Sequence, residues 1–298
     1  ITMINFYAYD QNWTDGLSQL TILLNILPKI KEPSLKQNGI ALAAMFYNQI
    51  GQFPLGLKYA RTLEDIATFP RQICMAKMFK TEALFNTSQK LSSLMLDSAM
   101  TACKNEPIAE NLIRSYLAET QIMNDEIADG KQALLKNLTV IESTKYARLI
   151  ARTYSLISQA LFLEGNNKSS KNYALKAIAI AKNIPTTSEV IESHRTIYEI
   201  SKLASDYKVA LEHHQKFAQL KETYTNKETS KHLAFQLAKH NAFEQESQIK
   251  LLNEQNNALA AEQALAKTEA ANKKLIILSL ALIILVLSVL GFRFYRAH

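Results

Sequence analysis

An uncharged apolar stretch close to the end of the chain, residues 275–292, constrains the fold more than any other feature of the sequence. Its 18 residues include only two hydroxyl side chains, Ser279 and Ser288, and no charged one. A helix of this length reaches roughly 27 Å, close to the thickness of the hydrocarbon core of a bilayer. Side chains suited to the headgroup region flank it: Lys273, Lys274, Phe292, Arg293, Phe294, Tyr295 and Arg296. The stretch predicts a membrane-spanning helix, with a buried core helix as the alternative.

The predicted span divides the chain very unequally. It is preceded by 274 residues and followed by six, residues 293–298, and the sequence begins at Ile1 without an initiator methionine. We therefore expect an internal piece of a longer polypeptide, with a juxtamembrane stub after the span and an output domain that this sequence does not contain.

The composition of the chain argues against some classes of function. With 48% apolar residues, a chain of 298 residues can bury a sizeable core. The net charge of +7 is spread along the sequence and forms no basic patch with interleaved aromatics, so we expect no nucleic-acid partner. Two cysteines, Cys74 and Cys103, are too few for a disulfide framework or a metal site. An oxidising compartment would allow one disulfide between them, but two buried thiols are the interpretation we favour.

Helical patterning runs through the whole chain. Apolar residues recur at helical spacing, and the sequence lacks the alternating runs that are typical of strands. Every proline lies before residue 186, and no glycine occurs between Gly165 and Gly291, so helix breakers punctuate only the first part. The sequence predicts an all-α protein.

A small residue followed by leucine returns at a nearly constant period in residues 1–225. Successive pairs are 40, 37, 40, 41 and 36 residues apart, and a proline follows four of them by 11 to 14 residues. Such a period is typical of stacked helical hairpins, with the small residue at a close helix crossing and proline ending the second helix. The pairs are Gly16-Leu17, Gly56-Leu57, Ser93-Leu94, Ala133-Leu134, Ala174-Leu175 and Ala210-Leu211. A non-repeating helical bundle is the alternative.

Two of these units carry further residues of one repeat pattern. They are Ala44, Tyr47, Gly51, Phe53, Gly56, Leu57, Ala60 and Pro70, and then Tyr198, Ser205, Asp206, Tyr207, Ala210 and Leu211. The pattern resembles the tetratricopeptide repeat, a helix–turn–helix unit that stacks into a helical solenoid. The resemblance implies a repeat domain over residues 1–225 whose first helices line a concave face that binds a peptide or a protein. On that face we expect Asn38, Met45, Asn48, Met78, Glu82, Arg152, Gln159, Arg195 and Glu199.

No helix breaker interrupts the sequence from Ala210 to Lys274, so we expect the second helix of the last repeat to continue as a long stalk, residues 226–274. A heptad that begins at Phe235 has alanines and a few larger apolar residues at its a and d positions, which indicates a weak parallel coiled coil. A solvated single helix that leans on the repeats is the alternative. The expected seam of a homodimer consists of Phe235, Ile249, Leu252, Asn256 and Leu259.

The order of a repeat domain, a long Gln/Ala/Lys/Glu-rich helix and a span followed at once by aromatic and basic residues resembles one signalling family. These are bacterial membrane-bound proteins with extracytoplasmic tetratricopeptide repeats. Residues 213–246 most resemble members that end in a diguanylate cyclase, while some relatives end in a histidine kinase. The resemblance implies a periplasmic sensor in the inner membrane. The charges that flank the span do not settle its orientation.

Motifs for catalysis and for cofactor binding are missing from the sequence. The seven glycines are scattered singly, so there is no phosphate-binding loop. Four histidines on the long helix lack the spacing and the carboxylates of a metal site: His213, His214, His232 and His240. We expect no catalytic residue, no metal and no cofactor. A ligand-binding receptor module is the favoured function, and a membrane-anchored scaffold for protein assembly is the alternative.

Overall fold

The computed structural model of the chain describes residues 2–89, 91–185 and 187–297, and within these ranges it contains helices and no strand. The helices are α1 (Thr2–Tyr9), α2 (Trp13–Ile26), α3 (Pro33–Gln49), α4 (Phe53–Ile66), α5 (Pro70–Asn86), α6 (Ser93–Ala102), α7 (Pro107–Met123), α8 (Ile127–Lys136), α9 (Leu138–Ser143), α10 (Ala147–Leu163), α11 (Asn167–Ile180), α12 (Ser188–Leu203) and α13 (Tyr207–Ala297). A 3-10 turn, Leu27–Lys29, follows α2.

Consecutive helices pair into hairpins that stack on one another. The pairs are α1–α2, α3–α4, α5–α6, α7–α8 and α10–α11, and the short α9 follows α8. The start of α13 packs on α12 in the same way, with the His194 and His213 rings 5.0 Å apart. The first helix of a unit also packs against the first helix of the next unit, as α3 does against α5 and α10 against α12. This arrangement is a tetratricopeptide-like helical solenoid followed by a long C-terminal helix, and the predicted fold is confirmed.

Each hairpin turn contains one residue with a positive φ, which lets the chain leave the first helix and reverse direction. Two of these residues are Gly51 and Gly165, with φ of 75° and 77°. The others are Gln11, Ser88, Asp125 and Ser205, with φ between 54° and 66°. The backbone therefore repeats from turn to turn, although the side chains at these positions differ.

Several of the small residues expected at helix crossings are buried. They are Gly16, Gly56, Ala174 and Ala210. At Gly56 the neighbouring α3 lies so close that a Cβ atom would meet Oδ1 of Asn48 at 1.8 Å. Glycine is therefore required there for packing, and not for its backbone conformation.

The expectation is wrong in two other units. Ser93 is exposed, because α6 directs Leu96 into the core instead. Ala133 is only half-buried, and the close approach is made by Gly130, where a Cβ atom would meet the backbone oxygen of Ala118 at 2.7 Å.

Two of the prolines act differently from the expectation that they end second helices. Pro70 and Pro107 are the first residues of α5 and α7. Proline suits the first position of a helix because its missing N–H would have no intrahelical acceptor there. The prolines therefore start the next unit.

Cys74 and Cys103 are joined by a disulfide with an S–S distance of 2.13 Å. Both are fully buried in a cluster with Leu96 and Ile113. The preference for two buried thiols is therefore wrong. Pairing α5 with α6 brings the two positions, 29 residues apart in sequence, to a Cα–Cα distance of 4.7 Å, within the usual range for a disulfide.

The compact repeat unit extends to Ala238, beyond the boundary expected at residue 225. Over this part of α13 one stripe is buried or half-buried, at alternating steps of three and four residues. The stripe consists of Ala210, His213, Phe217, Leu220, Tyr224, Lys227, Lys231, Ala234 and Ala238. Packing against the repeats therefore replaces the start of the predicted free stalk.

Beyond Ala238, α13 exposes the remaining residues of the predicted seam. The side chains of Ile249, Leu252 and Leu259 are 59%, 57% and 56% exposed, and Asn256 is exposed as well. These four residues stay a prediction for a homodimer.

By length and composition, the stretch Tyr207–Leu290 of α13 is sufficient to cross a membrane. Its most apolar window of 18 residues has a mean hydropathy of 2.5, and none of that window is buried. Four flanking residues expected at the headgroup level, Phe292, Phe294, Tyr295 and Arg296, lie outside the residues whose side chains the structure describes.

Candidate functional site

An open cleft of about 470 Å³ lies on the face formed by the first helices of the first three units. It is lined by Asn5 of α1, by Asn38, Ala41, Leu42 and Met45 of α3, and by Arg71, Gln72, Met75 and Phe79 of α5. Three successive repeats thus build a single surface with polar and apolar parts.

Amide side chains line this cleft at positions that are equivalent from repeat to repeat. Asn5, Asn38 and Gln72 follow one another at intervals of 33 and 34 residues. Nε2 of Gln72 donates a hydrogen bond of 2.8 Å to Oδ1 of Asn38. A primary amide has two N–H donors and a carbonyl acceptor, so this pair keeps hydrogen-bonding capacity toward the cleft.

A positive charge stands beside the amides. The Arg71 side chain is 73% exposed, and its Nε lies 3.7 Å from the carboxylate of Glu106. An exposed ion pair of this length is weak, so an incoming carboxylate can compete with Glu106 for the guanidinium group.

The floor of the cleft is apolar and rich in methionine. Met45, Met75 and Met78 pack against a buried cluster that contains Phe79 and Ala44. Methionine side chains are flexible and polarisable, and they adapt to apolar groups of different shapes. The cleft therefore combines an adaptable apolar floor with amide donors and acceptors.

Farther along the same helices, the polar residues bond to one another. Nδ2 of Asn48 donates to the backbone oxygen of Phe79 at 3.0 Å and to Oε2 of Glu82 at 2.9 Å. These bonds tie α3 to α5. Asn48 and Glu82 thus form a link between repeats.

Arg152 of α10 forms a second link, between three units. Its Nε donates to Oγ of Ser115 and its Nη1 to Oε1 of Glu189, both at 2.9 Å, while Nη2 donates to Oε2 of Glu119. The guanidinium group also lies 4.7 Å from the centre of the Tyr116 ring. These contacts join α7, α10 and α12.

Electrostatics keep Arg152 and Glu189 ionised. Burial is the largest influence and would raise the pKa of Glu189, but Arg152, hydrogen bonds from Thr187 and the backbone, and Arg148 together lower it. Burial raises the pKa of Glu119, and Arg152 offsets that rise only in part. Burial alone would lower the pKa of Arg152, but Glu119, Tyr116 and Glu189 raise it. The arginine stays charged, and its donors are committed to internal partners.

The structure separates the predicted binding residues into groups. Asn38 and Met45 line the cleft, and Met78 packs beneath it. Asn48, Glu82 and Arg152 serve as links between repeats, and Nε2 of Gln159 bonds to Oγ of Ser155 within α10. Arg195 pairs with Glu192 one turn away on α12, and Glu199 is half-buried on the same helix. These residues do not form one site.

The cleft is also lined by three residues that the sequence analysis did not identify: Asn5, Gln72 and Met75. A signal for two of them was present, because Asn5 and Gln72 lie one repeat before and one repeat after Asn38. Comparing amides at the repeat period would have found them. Nothing in the local sequence distinguishes Met75.

No group of three or more histidine, cysteine, aspartate and glutamate side chains that is able to hold a metal occurs in the described part of the chain. The cleft contains amides, one arginine and apolar side chains, and among its described lining residues there is no nucleophile paired with a base. Such a set of residues is suited to binding.

Comparison with known proteins supports the fold. No protein-family model matches the chain, and no curated protein matches it significantly. Among solved structures, the crystal structure of NprR in complex with its cognate peptide NprX superposes with a TM-score of 0.56 at 14% sequence identity. The match covers 79% of this chain and 69% of NprR. The chain therefore has the fold of a tetratricopeptide-like helical repeat protein, to which a long helix with an apolar end is added.

Proposed function

We propose that this chain is the peptide-binding receptor part of a membrane-anchored signalling protein. The cleft between α1, α3 and α5 carries the proposal. The amides of Asn38 and Gln72 match the alternating N–H and C=O groups of an extended peptide, and the methionine floor accepts its apolar side chains. Arg71 attracts an acidic group of the same ligand. The similarity in fold to NprR, whose crystal structure contains a peptide, supports this assignment.

The proposal also includes a membrane anchor and a periplasmic location of the repeats. The apolar end of α13 anchors the chain in a bacterial inner membrane and contacts its lipids through residues 275–292. The Cys74–Cys103 disulfide supports a periplasmic location of the repeats, because disulfides persist in oxidising compartments and are rare in the cytosol. A diguanylate cyclase on the far side of the membrane is the output that the family resemblance implies.

A selection experiment tests peptide binding directly. The full chain, purified in detergent micelles with its disulfide intact, is panned against a phage-displayed library of random heptapeptides. We expect enrichment of peptides with several apolar side chains, because the cleft floor is apolar. Their binding should weaken at least about tenfold in Asn38→Ala, which removes hydrogen bonds to the ligand.

Leu94→Ala is the matched control, because Leu94 is 80% exposed and lies outside the cleft. This variant should bind as the parent does. The proposal fails if no selected peptide distinguishes Asn38→Ala from the parent, or if Leu94→Ala weakens binding equally.

We further propose that the chain forms a homodimer through the exposed stripe of α13 that contains Ile249, Leu252, Asn256 and Leu259. Phe235 is excluded from this seam, because it packs against Tyr47 of the same chain. Cysteines introduced singly from residue 245 to 260 should crosslink in membranes with maxima at 249, 252, 256 and 259. A flat profile over this range would refute the dimer.

A further inference from the structure

The part of α13 that packs on the repeats contacts both the last unit and the first. Near its start, Nδ1 of His213 lies 3.1 Å from Nδ1 of His194, and the rings of His214 and Tyr198 are 5.0 Å apart, so α13 packs on α12. About five turns later, Lys231 lies over the ring of Trp13 at 5.3 Å. One helix therefore bridges the two ends of the repeat domain.

The contact with the first unit is made by a short segment, residues 231–238, which we call the latch. Ala234 is 8% exposed and belongs to the same buried cluster as Leu17 and Phe46. The ring of Phe235 meets the ring of Tyr47 edge-on at 6.5 Å. The surface that receives the latch, formed by Trp13, Tyr47 and this cluster, is here called the seat.

The seat and the cleft share side chains. Ala41, Met45 and Met75 line the cleft and pack against the buried cluster that also contacts Phe235 and Ala238. A ligand that displaces the methionines of the cleft floor therefore acts on the cluster that holds the latch. This adjacency places the proposed peptide site and the base of the long helix in one packing unit.

The latch is held more weakly than the repeats. It contributes one buried alanine and two half-buried apolar residues, Phe235 and Ala238, whereas α3 alone buries five apolar residues: Ile40, Leu42, Ala43, Ala44 and Phe46. Segments with few buried apolar contacts open locally at a lower free energy than the core. The latch is thus suited to open while the repeats stay folded.

We propose that the latch opens and closes on the seat, and that occupancy of the cleft sets the balance between the two states. The inference rests on the proposed function for the identity of the ligand, but the opening itself is a property of this chain alone. The latch lies within α13, which runs from Tyr207 to Ala297.

Thiol labelling measures the opening. The chain's two cysteines are bonded to each other, so Ala234→Cys provides the reactive thiol in the full chain in detergent micelles. Labelling of this thiol by a maleimide should be at least about tenfold slower than labelling of Leu259→Cys, whose position is 56% exposed. Equal rates at the two positions would show that no latch forms.

A second substitution tests the seat contact. Adding Phe235→Ala to Ala234→Cys should accelerate labelling about tenfold, because the apolar contact with Tyr47 is lost. Phe243→Ala is the matched control, since Phe243 lies on the same helix and is 67% exposed. The assignment of the seat is overturned if the two phenylalanine variants behave alike.

Filling the cleft tests the coupling without a ligand. Ala41→Leu adds an apolar group to the cleft floor, and we expect it to change the labelling rate at residue 234 at least threefold. Leu94→Ala should leave the rate unchanged. If labelling at residue 234 is slow but its rate does not change with Ala41→Leu, the coupling is refuted and the proposal of peptide binding is unaffected. If Ala41→Leu changes the labelling rate but the selection enriches no peptide, the proposed peptide ligand is refuted and the coupling is not.

Discussion

Arg152 is placed on the inner side of the solenoid, where its charge invites a role in ligand binding. Its side chain is only 15% exposed, and three of its nitrogen atoms donate to Ser115, Glu119 and Glu189. Two half-buried carboxylates depend on this single guanidinium group. At the scale of the residue, Arg152 therefore stabilises the stack of repeats.

Arg152→Ala should lower the free energy of unfolding by about 3 kcal/mol, because it leaves the half-buried Glu119 and Glu189 without their cation. Arg195→Ala is the matched control on α12, where the arginine is 52% exposed and pairs with Glu192 one turn away. Its cost should stay below about 1 kcal/mol. Denaturant unfolding of both variants measures the difference, and similar costs would contradict the assignment.

The hairpin-turn residues with a positive φ lead to a second prediction. Ser205 has a φ of 60°, a backbone region that is costly for residues with a Cβ atom. Ser205→Gly should therefore raise the free energy of unfolding by about 1 kcal/mol. Lys208→Gly, in the first turn of α13, should be neutral or destabilising. A lowered melting temperature for Ser205→Gly would contradict the turn geometry.

At the scale of the elements, the contact between α12 and α13 makes the stability of the fold depend on pH. Burial lowers the pKa of His194 to about 4, and the positive charges of His213 and Lys216 contribute. Burial also lowers the pKa of His213, opposed by Glu212 and assisted by Lys171. Both imidazoles are therefore neutral in the folded protein at neutral pH.

The sign of the effect follows from these lowered pKa values. Above about pH 6.5 neither the folded nor the unfolded state protonates His194, so stability does not depend on it. As the pH falls from about 6.5 to 4, the unfolded state takes up the proton first, and roughly 2–3 kcal/mol of stability is lost. His194→Gln should flatten this part of the stability profile, measured by denaturant unfolding. An unchanged slope would refute the assignment.

The repeat period predicted the succession of helical hairpins, and the small residue before leucine predicted a buried position in four of the six units. The pair at Ser93 fails because a small residue before leucine is common in any helix. The links of Asn48 and Arg152 were missed because a polar side chain has the same sequence pattern whether it faces solvent or the next repeat. The stripe that starts at Ala210 was missed because His213, Tyr224 and other polar residues interrupt its apolar pattern.

At the scale of the whole molecule, the disulfide joins α5, which lines the cleft, to α6. Because the bond closes a loop across 29 positions, Cys74→Ala with Cys103→Ala should lower the free energy of unfolding by about 3–4 kcal/mol. A reductant should destabilise the parent by a similar amount and leave the double variant unchanged. A parent protein indifferent to reductant would contradict both the bond and the support it gives to a periplasmic location.

The measurement that tests the account most directly is hydrogen exchange of the full chain in lipid nanodiscs, with and without a heptapeptide from the selection. The account predicts slower exchange in α3 and α5 around Asn38 to Met45 and Arg71 to Phe79, where the cleft lies. It also predicts altered exchange in residues 231–238, and unchanged exchange in α10 and α11. Slower exchange confined to α10–α12 would contradict the place assigned to the ligand site. Slower exchange in the cleft with unchanged exchange in residues 231–238 would contradict the coupling between the cleft and the latch.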